Sequence, residues 1–168
     1  MIDLPLNKLL FFDLETVGIE KDLPTLKKNR PELARLFESY LDWFIRKYPD
    51  QEGKTPEEIF INKAALVAEF SKIIVASFSF ITPSDEVHTQ TFAEDDEKEL
   101  LLKVRDLLNK VQKLDFHLCG HNIKFFDIPT LGKRFLTNNI LPPKILPSYE
   151  TKPWEVKALD TKDIWQFG

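Results

Sequence analysis

The chain has 168 residues, 43% of them hydrophobic and 30% charged. That mixture fits one globular domain with a real core and excludes a disordered or fibrous chain. The formal charge is −4, so the chain lacks the overall basic field of a protein that holds nucleic acid by bulk charge. Chemistry on phosphates would need positive charge supplied locally, and a metal ion is the obvious source. A single cysteine excludes an internal disulfide and points to a reducing compartment. No apolar run approaches the roughly 20 residues of a membrane span, and the first residues lack the basic and apolar regions of a signal peptide. The expected setting is the cytoplasm, with no membrane partner. Fourteen phenylalanines against three tryptophans and three tyrosines suggest a bulky core.

The first element is residues 9–16, Leu-Leu-Phe-Phe-Asp-Leu-Glu-Thr. The apolar run predicts a strand covered on both faces. Side chains alternate along a strand, so Asp13 and Glu15 share one face and Leu14 points the other way. A helical block follows. Pro31 suits a first helical position, and Leu33, Leu36, Phe37, Tyr40, Leu41, Phe44, Ile45 and Tyr48 recur at spacings of three and four. This predicts one amphipathic helix over 31–48. Thr55-Pro56-Glu57-Glu58 reads as a cap, a first-position proline and a capping-box glutamate, opening a helix to about Leu66.

Residues 73–81 and 87–92 are rich in β-branched and aromatic residues around a turn at 83–86, predicting an antiparallel hairpin. The acidic run 94–99 opens a helix whose apolar residues are Leu100, Leu101, Val104, Leu107, Leu108 and Val111. Residues 114–119 read as a short buried strand and 120–124 as a loop. Asp127 stands where the N-cap of a helix over 127–136 belongs. Residues 138–153 hold four prolines and read as an extended connection, and 156–160 as a last strand. No repeat or convincing boundary interrupts the chain, so it is expected to be a single domain, 1–168, with a helical insertion at about 22–66. The architecture is α/β, a mixed sheet with antiparallel strands first and parallel strands later, flanked by helices.

Asp13 and Glu15 are the sharpest chemical feature. Two carboxylates on one side of a buried strand repel each other and are expensive to desolvate. A divalent cation removes that cost, and Mg²⁺ sits between one or two carboxylates and a substrate phosphate. The plain alternative is that both side chains are solvated. A third carboxylate, Asp127, follows the polar loop at a strand end, where α/β proteins place their sites. It could join Asp13 and Glu15, or simply cap its helix.

Phe12-Asp13-Leu14-Glu15-Thr16 resembles the first motif of the DEDD superfamily of 3′–5′ exonucleases, and residues 122–127, Asn-Ile-Lys-Phe-Phe-Asp, resemble its second. Within it, the chain is most similar to stand-alone exonucleases related to the proofreading domain of family B DNA polymerases. Residues 64–74 and Leu159-Asp160-Thr161 add to the likeness, which covers most of the chain outside about 20–60. The resemblance implies a ribonuclease H-like fold and two-metal hydrolysis of phosphodiester bonds at single-stranded 3′ ends, of DNA in the first place, with two Mg²⁺ or Mn²⁺ ions. It assigns Asp13, Glu15 and Asp127 as metal ligands and catalytic residues. It also implies that backbone near Leu14 and Thr16 grips the terminal nucleotide, that Leu14 presses on its base, and that Asn122 positions the loop or a phosphate.

The family pattern also calls for a Tyr or His a few residues before a fourth Asp on a late helix. Tyr149, Asp160 and Asp163 do not fit that spacing, so the sequence reads as a C-terminally truncated piece of such an enzyme. Two rival readings are a catalytically incomplete domain that binds nucleic-acid ends or another protein, and a haloacid dehalogenase-like phosphatase. The phosphatase would want Asp rather than Glu15. Phe125, Phe126, Trp154 and Trp165 are expected mainly to pack, with stacking of Phe125 or Phe126 on a base as the lesser alternative, His88 and His117 to lie in strands, and Cys119 to be buried and inert. Lys27, Lys28, Arg30, Lys133 and Arg134 could guide a strand but more simply form solvated helix faces.

Overall fold

The computed structural model describes residues 5–148, 150–152, 155–156 and 158–167. In chain order the elements are β1 (Leu9–Gly18), α1 (Leu23–Asn29), α2 (Pro31–Ser39), α3 (Leu41–Lys47), α4 (Pro56–Lys63), β2 (Ser71–Ile81), β3 (Val87–Ala93), α5 (Glu97–Lys113), β4 (His117–Gly120), α6 (Asp127–Thr137), β5 (Ala158–Asp160) and α7 (Thr161–Trp165). The strands form one five-stranded sheet in the order β3-β2-β1-β4-β5. β2 and β3 are antiparallel, with Ile81 opposite Val87, whereas β4 runs parallel to both β1 and β5. This is the mixed α/β sheet expected of the ribonuclease H-like class. Among the described residues no helix is long and apolar enough to cross a membrane.

The chain divides into two compact units. One comprises residues 1–15 with 73–168, the other residues 16–72. The first unit takes its core from the sheet and its two long helices. Leu10, Phe12 and Leu14 alternate inward from β1 and meet Leu100, Leu101, Val104, Leu108 and Val111, a stripe at three- and four-residue spacing along α5. Ile128, Leu131 and Phe135 of α6 complete it. Phe12 stacks on Phe78 with ring centroids 5.8 Å apart. The proline-rich connection drops Ile140 and Leu146 into the same core, and Tyr149, Pro153 and Trp154 lie outside the described residues.

A buried polar network lies within this unit. Glu97, at the first turn of α5, accepts from the Ile73 N–H at 2.8 Å, from Arg134 Nε at 2.8 Å and from Asn138 Nδ2 at 3.0 Å. Arg134 is only 3% exposed. It is therefore not part of a solvated basic face, as the sequence suggested, but the cation of an internal ion pair. Lys133 beside it is exposed.

The second unit is built on aromatic edges. Phe37 sits 5.1 Å from Phe60 and 5.3 Å from Phe70, both nearly perpendicular, and 5.4 Å from Phe44. Edge-to-face pairs of this kind favour the aromatic quadrupole beyond simple area burial. The predicted helix over 31–48 is in fact two, α2 and α3. The break falls at Tyr40, where the Ser39 hydroxyl donates to the Leu36 carbonyl at 2.7 Å and competes with the helical ladder. Helix α1 was not anticipated, although its signal is present: Asp22 accepts from the Thr25 N–H at 2.7 Å and Pro24 stands in the first turn. The capping box at Thr55 and Glu58 forms as read, with 3.3 and 2.7 Å bonds in the two directions. Helix α4 ends at Lys63, and a 3-10 turn takes the chain to Leu66. Lys27 pairs with Glu38 and Arg30 with Glu20, while Lys28 is exposed.

Cys119 lies in β4 and is 1% exposed. Burial, aided by the charge of Asp160, pushes its thiol up to about 11. A thiol so rarely ionised is a poor nucleophile. We expect no reaction of the native protein with a disulfide reagent at pH 8 and full reaction in denaturant; fast labelling of the folded chain would contradict this burial.

Candidate active site

The site begins with the way β1 alternates. Asp13 and Glu15 are exposed, while Leu14 between them is 4% exposed with its side chain in the core. The two carboxylates therefore share a face, as the strand period requires. The same geometry corrects the role expected for Leu14, because a side chain committed to the core cannot press on a substrate base. Thr16 is also engaged: its hydroxyl donates to the Ala65 carbonyl at 2.7 Å.

Asp127 does not cap its own helix. Phe126 is the N-cap residue and offers no side-chain bond. The Asp127 carboxylate instead accepts from the Leu14 N–H at 3.1 Å, across 113 residues of sequence. Asp127 is 2% exposed. Burial pushes its carboxyl up to about 6, with the charges of Asp13 and Asp160 adding to the effect and the Leu14 N–H opposing it. The two motif segments thus meet, and Asp13 lies close enough to Asp127 for its charge to be felt.

The loop that delivers Asp127 is held by Asp160, whose part the sequence did not disclose. One Asp160 oxygen accepts from the Asn122 N–H at 2.7 Å and the Lys162 N–H at 3.0 Å; the other accepts from the Lys124 N–H at 3.0 Å. Burial works against ionisation here, but these three N–H groups outweigh it and hold the carboxyl below its ordinary value. Asn122 adopts φ +62°, a left-handed conformation that asparagine tolerates better than most residues. Its side-chain oxygen accepts from Lys162 Nζ at 2.9 Å. His121 shares a 3.1 Å bond with the Thr161 hydroxyl.

Gly120 opens this loop where β4 ends beside β1. A Cβ there would lie 2.4 Å from Ile123 Cγ2 and 2.7 Å from the Phe12 carbonyl oxygen, whereas at Gly132 it would meet nothing within 4 Å. Gly120→Ala is expected to cost about 1–3 kcal/mol in urea unfolding. Gly132→Ala, inside α6, should be neutral or stabilising. Equal effects would show that the close approach at Gly120 is unimportant.

Two packing expectations are corrected. Phe125 is 74% exposed and Trp165 80% exposed, while Phe126 is half-buried. Ile123, at 0%, is the residue that anchors the loop in the core. Phe125 follows the tight turn that turns Ile123 inward, and Trp165 ends the short helix α7, which buries none of its residues.

Asp13, Glu15 and Asp127 offer oxygen donors only, the chemistry that suits Mg²⁺ or Mn²⁺. Among the described residues, however, no group of three or more His, Cys, Asp or Glu side chains is gathered closely enough to hold a metal ion. The donor types are those that a hard cation takes. Comparison of the chain with protein-family models, with curated proteins and with solved structures finds no match.

Proposed function

We propose that this chain carries the metal-binding part of a 3′–5′ exonuclease site and acts on single-stranded nucleic acid, in the first place DNA. The observation that supports this most directly is the bond from the Leu14 N–H to Asp127. It brings the Asp13-Leu14-Glu15 segment and the Asn122-to-Asp127 segment to one place, at the carboxyl end of parallel strands, where α/β proteins bind ligands. Asp13, Glu15 and Asp127 would hold one or two divalent cations. When bound, such cations supply positive charge against the phosphodiester and its leaving 3′ oxygen, charge that a chain of net −4 does not otherwise offer.

The residues have separable tasks in this reading. Asp13 and Glu15, exposed on one strand face, present ligands to solvent. Asp127, fixed by Leu14, presents a carboxyl from the buried side. Asp160 immobilises the loop between β4 and α6, so that Asp127 keeps its place. Asn122, whose N–H and side chain are both engaged with the β5–α7 segment, serves the loop's conformation.

The test is release of nucleotides from a 5′-labelled single strand in Mg²⁺ or Mn²⁺, beside Asp13→Ala and Asp127→Asn. Shortening from the 3′ end by the wild type alone supports the reading; equal activity in the variants overturns the assignment of these carboxylates. Binding without hydrolysis would favour an incomplete binding domain.

A further inference from the structure

We propose that Phe125 and Lys162 form a stacking platform for one nucleobase of a single-stranded nucleic acid, an inference that rests on the proposed nuclease site and adds the element that grips its substrate. The Phe125 ring is 74% exposed, yet its backbone is tightly held. Its N–H donates to the Asn122 carbonyl at 3.2 Å, in a loop that Asp160 clamps through the N–H groups of Asn122 and Lys124. An apolar ring presented to water on a rigid support, two residues before Asp127, loses little further entropy when a flat partner covers it.

The cation beside it completes the argument. Lys162 Nζ lies 5.9 Å from the Phe125 ring centroid, at the outer limit of cation–π contact, and donates to the neutral side-chain oxygen of Asn122. Among the described residues it makes no ion pair, whereas Lys124 in the same loop is neutralised by Asp163 at 2.8 Å. An ammonium held on a neutral amide oxygen next to an exposed ring matches a nucleotide, whose base stacks while its phosphate meets the charge. Stacking tolerates any base and needs one already unstacked from its neighbours, so the ligand is a single strand without strong sequence preference.

The experiment is fluorescence anisotropy of a short 5′-fluorescein oligothymidylate with the full chain, first without divalent cation. Phe125→Ala should weaken binding about tenfold and Phe125→Trp should restore it. Lys162→Gln should reduce the slope of log K against log salt by about 0.7, the signature of one lost phosphate contact on a single strand. Undiminished binding by Phe125→Ala, or no binding by the wild type, overturns the platform. Mn²⁺ is then added to the same samples and product length is read. Ring-dependent binding without cleavage overturns the nuclease reading but supports the platform; cleavage with ring-independent binding does the reverse.

Discussion

Asp127→Asn should make the protein more stable at neutral pH while abolishing the activity proposed for it. Burial first, and the charge of Asp13 after it, push the Asp127 carboxyl up to about 6. In the unfolded chain it titrates near the ordinary aspartate value of about 4. Between those two values the folded state holds a proton that the unfolded state has released, so stability falls as pH rises through that window and stays lower above it. The full penalty is about 2–3 kcal/mol at 1.36 kcal/mol per unit. Asparagine keeps an acceptor for the Leu14 N–H and removes the charge. Allowing for an imperfectly paired amide, the variant should be about 1–3 kcal/mol more stable than wild type at pH 7.5 and no more stable at pH 4. Urea unfolding at the two pH values checks this; a variant equally destabilised at both would show that burial of the charge is not what strains the site. Stability surrendered at one buried carboxylate is a common mark of a functional site. If the proposed function holds, Mg²⁺ should raise the wild-type midpoint and leave that of Asp127→Asn unchanged.

The second large effect lies away from the site. Glu97→Ala should destabilise the protein by about 3–5 kcal/mol. The substitution removes the carboxylate that pairs with Arg134, 3% exposed, and strips a partner from the Ile73 N–H and from Asn138. Replacing both ends, as Glu97→Leu with Arg134→Leu, should cost much less than the sum of the single changes, because no buried charge is stranded. Additive single and double effects in a denaturation cycle would show that the pair is not coupled. The bond from Glu97 also ties the start of β2 to α5 and α6, so the loss should lower the unfolding free energy rather than loosen one helix end.

These two residues also mark where sequence reasoning stopped. Glu97 was legible as part of an acidic helix start, and α5 does begin there, capped by Asp96 through a 2.8 Å bond from the Lys98 N–H. Nothing local told that its carboxylate turns inward to Arg134, 37 residues on. Arg134 occupies a helix position next to Lys133, and only the packed core distinguishes the buried cation from the exposed one. For Asp127 the local signal favours a helix cap, and its place after a strand and loop offers a metal ligand only as the alternative. The bond to Leu14 is a long-range choice that no spacing rule contains.

What the sequence determined by itself is what depends on period and nearest neighbours. The apolar run and its alternation set β1 and put Asp13 and Glu15 on one face, because successive strand side chains must point oppositely. The Thr55 box, the hairpin of β2 and β3, and the apolar stripe of α5 follow from equally local rules. Tertiary structure decided the rest: the division at residues 15 and 72, the exposure of Phe125 and the convergence of Asp127, Asp160 and Glu97 on distant N–H groups. Burial and hydrogen-bond partners are properties of which surfaces meet, and a carboxylate removed from water takes the nearest buried donor wherever in the chain that donor arises.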